Sequence, residues 1–89
     1  MSTYLLIDTS TARTSVAIVS NDETLFEAHH DGALSHGEAL PELVAKGLKL
    51  ENKIDQVIVG MGPGPFTGLR VGISFAQSFA LGRSIPWHG

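Results

Sequence analysis

The sequence predicts one α/β domain with a mixed sheet, in the element order β-β-β-α-β-α-(β). Three observations predict it: three short apolar runs separated by turn residues, a capped amphipathic helix, and a β-branched run followed by a second, more apolar helix. The chain has 89 residues, of which 43% are hydrophobic and 17% charged. That composition is typical of a small globular domain with one core and not of a disordered segment.

The first three elements are strands joined by short turns. Residues 4–7 and 15–19 are apolar and rich in strand formers, and residues 24–28 form a third, more polar run. Turn formers at 8–11 and 21–22 separate the three runs. Connections this short favour antiparallel pairing, because a parallel return requires a crossover of about a dozen residues.

The hydrophobic period then changes to three and four residues. Ser35 and Glu38 have the spacing of a capping box, and leucine and valine follow at helical spacing, so the sequence predicts a helix over 36–50. Pro41 lies inside this helix and predicts a slight bend, since proline removes one backbone hydrogen bond. The run 56–59 predicts a buried strand parallel to the first.

The last third predicts a rigid loop, a second helix over 67–82 and the start of a fifth strand. Apolar residues occupy too much of this helix for a solvated surface element, so it must be covered on more than one side. Arg70 lies near its amino-terminal end, where the helix dipole disfavours a cation. We expect a partner's carboxylate or a phosphate to hold Arg70, unless its guanidinium simply reaches water.

Charge is distributed unevenly along the chain. All nine acidic residues lie in residues 1–55, which carry a net charge of −5, whereas residues 56–89 contain only two arginines and carry +2. Two arginines are too few for a nucleic-acid-binding stripe. The last third cannot supply the further carboxylate that a two-metal nuclease requires. No cysteine is present, which excludes thiolate zinc sites and cysteine nucleophiles.

The corner after the first strand is the strongest candidate for chemistry. Asp8 ends that strand and is followed by hydroxyl residues, an arrangement suited to a hydrated metal beside a phosphate. The alternative is a turn in which Asp8 accepts backbone N–H bonds. The Gly-Pro loop at 60–66 fits neither the Walker nor the dinucleotide pattern, and we expect it to be structural. The histidines lack the spacing of a metal-binding helix, so we predict no metal site. Ser35 beside His36 is explained as a helix cap and not as a catalytic pair, and we predict no catalytic residue.

Several stretches resemble the bacterial TsaB (YeaZ) family. They are Leu6 to Thr11, Ser15 to Ala17, His36 with Glu38 and Leu40-Pro41, and the run 62–72, which is similar to that family's most distinctive motif. Pro65 and Gly37 depart from the family's usual pattern. The resemblance implies an ASKHA (actin-like ATPase, ribonuclease-H-like) fold, with residues 1–89 as the amino-terminal lobe and the second lobe absent from this chain.

The resemblance also implies a function. Members of this family are non-catalytic subunits required for threonylcarbamoyl transfer to adenosine 37 of tRNA, for which a TsaD-type paralogue carries the chemistry and a TsaE-type ATPase assists. The first two helices pair with those of the TsaD-type partner, or with a second copy as a homodimer, and tRNA is met indirectly. No cofactor is implied for the subunit, ATP and Mg²⁺ being confined to the assembled complex. We expect a cytoplasmic protein that does not cross a membrane.

We expect the partner contacts on the two helices, at His36, Leu40, Leu43, Val44, Arg70, Ile73 and Gln77. The rival hypothesis is half of an ASKHA-type ATPase or kinase, whose phosphate hairpin would include the nucleotide-binding residues Asp8, Thr9 and Ser10. A third hypothesis is a ribonuclease-H-like nuclease, which the missing carboxylates oppose.

Overall fold

The computed structural model describes residues 2–10, 13–31, 36–61 and 66–89, without the side chains of residues 36, 66 and 67. Its elements, in chain order, are β1 (Thr3–Asp8), β2 (Arg13–Ser20), β3 (Glu23–Asp31), α1 (His36–Leu50), β4 (Gln56–Gly60), α2 (Phe66–Arg83) and β5 (Trp87–His88). The predicted element order is confirmed, and the bounds of α1 are those that the helical spacing predicted. The capping role predicted for Ser35 and the loop at 62–65 lie outside the described residues.

The five strands form one sheet in the order β3-β2-β1-β4-β5. β1 pairs antiparallel with β2, and β2 antiparallel with β3, which confirms the predicted meander. β4 pairs parallel with β1, and β5 parallel with β4. A helix precedes each of these two strands, α1 leading from β3 to β4 and α2 from β4 to β5, as parallel crossovers require. The carboxyl ends of β1 and β4 therefore lie side by side, with Asp8 opposite Gly60.

The β2–β3 hairpin turns at the two residues that the sequence marked as a turn. Asn21 and Asp22 have φ angles of 51° and 66°. Two successive left-handed residues are the signature of a type I′ turn, which matches the twist of the strands it joins. β3 is longer than the predicted run of 24–28, because a polar edge strand still gains main-chain hydrogen bonds from its neighbour.

Alternate residues of the strands point toward the two helices and form a single core. α1 packs over β2 and β3, and α2 packs mainly over β4. The largest fully buried side chains are Leu5, Ile7, Val16, Ile18, Leu40, Val57 and Val59. Both helices lie on this one side because each parallel connection crosses the sheet with the same hand.

The carboxyl end of α2 is fixed by its own chain. Ser84 has a φ of 56°, the N–H of Ile85 donates to the Ala80 carbonyl at 3.0 Å, and the N–H of Ser84 donates to the Leu81 carbonyl at 3.2 Å. These two bonds form a Schellman motif, with serine where glycine is usual. No helix in the described part of the chain is long and apolar enough to cross a membrane.

Candidate functional site

The corner after β1 is a hydrogen-bonded turn. Oδ1 of Asp8 accepts the backbone N–H of Ser10 at 2.8 Å and the Ser10 hydroxyl at 2.6 Å. This is the turn that the sequence offered as the alternative to a metal or phosphate site. Asp8 is exposed, whereas Thr9 and Ser10 are buried, so among residues 8–10 the carboxylate is the group that meets solvent.

The second residue of the proposed phosphate hairpin, Thr9, faces the inside of the chain. Thr9 is 0% exposed, and its hydroxyl donates to the backbone carbonyl of Gly68 in the first turns of α2. The hydroxyls of Thr9 and Ser10 therefore both have partners within the chain. Their contribution to the structure is to hold the end of β1 against α2 and to close the turn.

The residues at 2–10, 13–31, 36–61 and 66–89 contain no group of three or more His, Asp or Glu side chains placed to hold a metal ion. A shallow depression of about 440 Å³ lies beside Asp8 and is lined by Leu6, Ala17, Glu27, His29 and Ile58 among others. It lies on the side of the sheet away from the core, with an apolar floor and a mixed-charge rim.

A second concavity lies between the two helices. This groove has a volume of about 460 Å³, and its lining comprises Gly37, Leu40 and Pro41 of α1 and Arg70, Val71, Ser74, Phe75 and Ser78 of α2. We call it the interhelical groove. Aliphatic and aromatic side chains form most of its wall, and the small side chains of Ser74 and Ser78 leave room on the α2 side. Among the described lining residues, Arg70 is the charged one.

Arg70 is the charged group of the groove. Its side chain is exposed, and within the described residues it makes no hydrogen bond or ion pair. Its position in the first turns of α2 sets it against the helix dipole. A cation placed there beside an apolar groove is suited to a carboxylate carried by an apolar partner surface.

The structure separates the predicted partner contacts into two groups. Arg70 and Leu40 line the interhelical groove, Gln77 is exposed, and Ile73 is half-buried against the core. The side chain of His36 lies outside the described residues.

The prediction of partner contacts was wrong for three core residues of α1. Leu40, Leu43 and Val44 are 0%, 7% and 2% exposed and belong to the chain's own core, although Leu40 also borders the groove. The helical spacing identified the apolar face of α1 but could not say whether the sheet or a partner covers it. The sheet does, since α1 packs over β2 and β3.

The sequence analysis missed most of the groove. Val71, Ser74, Phe75 and Ser78 recur at three- and four-residue spacing and share one side of α2. That spacing is visible in the sequence, but the two serines conceal it from any search for apolar residues. The structure places Phe75 in the groove, with the centre of its ring 6.0 Å from that of the Phe79 ring.

Comparisons with known proteins agree with the fold and cover the groove. A protein-family model described as "TsaD: tRNA N6-adenosine threonylcarbamoyltransferase" matches residues 29–89. These residues include α1 and α2, whereas the Asp8 corner precedes them.

Curated relatives match across almost the whole chain. The tRNA threonylcarbamoyladenosine biosynthesis protein TsaB of Haemophilus influenzae is 39% identical over 88 residues, covering 94% of this chain and 37% of that protein. TsaB of Escherichia coli is 38% identical over 91 residues, covering 96% of this chain and 38% of that protein. An uncharacterised protein of Mycobacterium leprae is 41% identical over 97 residues, covering 100% of this chain and 27% of that protein.

A solved structure shares the fold. YeaZ from Pseudomonas aeruginosa superimposes with a TM-score of 0.89 at 30% identity, covering 100% of this chain and 44% of that one. The chain thus spans less than half the length of each of these proteins.

Proposed function

The chain belongs to the protein family of TsaD and TsaB (YeaZ), with the ASKHA-like fold of that family, and from this membership we propose that it works in tRNA threonylcarbamoyladenosine biosynthesis. Its role is that of a non-catalytic subunit that binds a TsaD-type paralogue through α1 and α2. The TsaD-type protein carries out the transfer to adenosine, a TsaE-type ATPase completes the complex, and tRNA is contacted indirectly. The complex acts in the cytoplasm.

The observation that carries the proposal is the interhelical groove with Arg70 at its side. The groove is wide enough for large side chains of a second helix, and Ser74 and Ser78 allow that helix to come close. Grooves of this kind accept the apolar face of an amphipathic helix. We therefore infer that the partner inserts apolar side chains beside Phe75 and Val71 and sets an Asp or Glu against Arg70.

The same surface supports self-association when the larger partner is absent. Glu38 and Glu42 are exposed on α1, beside the α1 wall of the groove. In a two-fold dimer the same patch meets itself, so that Arg70 of each copy lies opposite α1 of the other. The glutamates in the first half of α1, of which Glu42 also lies 3.9 Å from Lys46, and Arg70 of α2 are complementary in that arrangement.

A non-catalytic role is supported by the Asp8 corner. Thr9 and Ser10 use their hydroxyls to hold the fold, and the described residues hold no cluster of acids around Asp8. The rival ATPase hypothesis is tested by calorimetric titration of the chain with Mg-ATP. Tight binding that Asp8→Ala abolishes would favour the enzyme, and heats no larger than dilution would favour the binding subunit.

The proposed partnership is tested by titrating the chain with the TsaD-type paralogue from the same genome. Arg70→Ala should weaken binding about 30-fold, the size of an interface hot spot of about 2 kcal/mol. Arg83→Ala is the matched control, because Arg83 lies at the other end of the same helix and is held by Asn52. Equal affinities for wild type and Arg70→Ala would rule out the groove as the binding surface.

A further inference from the structure

The side chain of Thr9, next to Asp8, makes contacts with α2 that the turn after β1 does not require. The Thr9 hydroxyl donates to the carbonyl of Gly68, and the side chain also lies against Gly72, one helical turn later. A Cβ atom on Gly72 would stand 2.6 Å from Thr9 Oγ1, too close for any side chain. Thr9 therefore fits a notch in α2, between the Gly68 carbonyl and Gly72, that exists because Gly72 carries no side chain.

The neighbouring residue, Asp8, packs against the end of β4, where the connection to α2 begins. A Cβ atom on Gly60, the last residue of β4, would lie 2.8 Å from Cγ of Asp8. Asp8 thus packs against the end of β4 while Thr9 holds the first turns of α2. The end of β4 and the beginning of α2 are therefore both in contact with the corner after β1.

The contact of Thr9 with α2 lies beside the two groove residues Arg70 and Val71. Arg70 and Val71 lie between Gly68 and Gly72, in the helical turn that Thr9 contacts. A helix moves as a unit over one turn, so any shift of the Gly68–Gly72 segment shifts the Arg70 charge and the Val71 side chain relative to α1. At the opposite end, α2 is held separately by the hydrogen bonds between Arg83 and Asn52.

We propose that Thr9 is a positioning residue for partner binding: by seating in the Gly68–Gly72 notch it sets the distance of Arg70 and Val71 from α1, and so the width of the interhelical groove. The inference rests on the proposed use of that groove. Thr9 would thus contribute to recognition indirectly, since its side chain is fully buried.

The position of α2 is tested first, in the chain by itself. Thr9→Val keeps the shape and removes the donor, and Thr9→Ser keeps the donor. We expect amide hydrogen exchange to rise about tenfold or more in residues 68–75 of Thr9→Val, to rise much less in residues 76–83, and to return close to wild type in Thr9→Ser. A uniform rise along α2, or no rise, would overturn the assignment.

Glycine-to-alanine substitutions provide the matched pair for the notch. Gly72→Ala forces a methyl group onto Thr9, whereas a Cβ atom on Gly82 of the same helix meets nothing within 4 Å. Gly72→Ala should reproduce the local exchange pattern of Thr9→Val, and Gly82→Ala should leave residues 68–75 unchanged. The double variant Thr9→Ala with Gly72→Ala removes the clash between the two side chains. Adding Gly72→Ala to Thr9→Ala should therefore raise exchange in residues 68–75 less than Gly72→Ala does in the wild-type chain, whereas a general loss of helix stability would raise it equally in both.

Binding to the TsaD-type paralogue is tested by a double-mutant cycle at temperatures where every variant is folded. Thr9→Val should weaken binding about tenfold when Arg70 is present and less than about twofold in the Arg70→Ala background, since interacting sites are not additive. Thr9→Ser should restore binding. Equal losses in both backgrounds would show that Thr9 affects binding independently of Arg70, and no loss in either background would show that it acts only on stability; both results would overturn the positioning role. An Arg70→Ala variant that binds normally would overturn the proposed use of the groove, and the exchange measurement would then test the Thr9–Gly72 contact by itself.

Discussion

The two ends of α2 hold their arginines in opposite ways. At the carboxyl end, Arg83 donates to the backbone carbonyl and the side-chain oxygen of Asn52 at 2.6 and 2.8 Å, and its Cζ lies 4.7 Å from the centre of the Phe79 ring. At the amino-terminal end, Arg70 stands exposed at the groove without such partners among the described residues. The dipole of the helix favours the first cation and disfavours the second.

The comparison separates an arginine that serves the fold from one for which we propose a role in recognition. Arg13, the third arginine of the chain, also belongs to the first class, because it forms an ion pair with Asp31 at 2.8 Å. Arg70 is the member of the set that the described fold does not use. Its placement beside the interhelical groove is therefore best explained by a group on another molecule.

The largest expected effect concerns the face of α1 that packs on the chain's own sheet. Leu43→Ala should lower the free energy of unfolding by about 2–5 kcal/mol, because it removes methyl groups from a packed core. Urea unfolding followed by the fluorescence of Trp87 measures the change. A loss below about 0.5 kcal/mol would mean that Leu43 faces solvent or a partner after all.

The carboxyl end of α2 comes next. Arg83→Ala should lower the free energy of unfolding by about 1 kcal/mol, since it removes charge-assisted hydrogen bonds and a cation–π contact at an exposed site. The same urea titration gives the value. Were the variant as stable as wild type, the two ends of α2 would no longer differ in the way described.

The cap beyond Arg83 offers a gain of stability. Ser84→Gly should raise the free energy of unfolding by about 0.5–1 kcal/mol, because Ser84 has a φ of 56° that glycine adopts without strain. Ser78→Gly is the matched control within the body of α2, where glycine should cost about 0.5 kcal/mol. Two changes of the same sign would exclude the cap as the cause.

The amino-terminal end should respond with the opposite sign to Arg83. Arg70→Ala should raise the stability of the chain alone by about 0.3–1 kcal/mol, since it removes a cation from the unfavourable end of the helix dipole. Thermal unfolding at low and high salt tests this, because screening should reduce the gain. Destabilisation by Arg70→Ala would reveal a stabilising role within the fold.

The smallest effect concerns Arg13 and its acidic partner. The hydrogen bond and positive charge of Arg13 lower the pKa of Asp31 below its ordinary value of 3.8. Because the folded-state pKa is depressed, the stabilising contribution is present at neutral pH and is lost as the pH falls through that depressed value. Wild type should exceed Asp31→Asn slightly in stability at pH 7, and the gap should close in acid; both residues are exposed, so the gap is small.

Local patterns predicted the elements because they depend on near neighbours. The capping spacing and apolar period predicted α1 over 36–50, and α2 spans Phe66–Arg83 where 67–82 was expected. Short connections predicted the antiparallel meander and the turn at Asn21 and Asp22. The Asp8 turn was also among the hypotheses that the sequence offered, because an aspartate two residues before a serine can close it alone.

The sequence by itself thus determined the order of strands and helices, the uneven distribution of charge and the unusual position of Arg70. Tertiary structure alone decided which side of α1 is covered by the sheet, and so moved Leu43 and Val44 from a partner surface into the core. It alone also brought Thr9 to Gly72, 63 positions apart in sequence, and joined Ser74 and Phe75 to Pro41 in one groove. The physical reason is that period and capping act within a few residues, whereas the partner of each face is fixed only when distant elements pack.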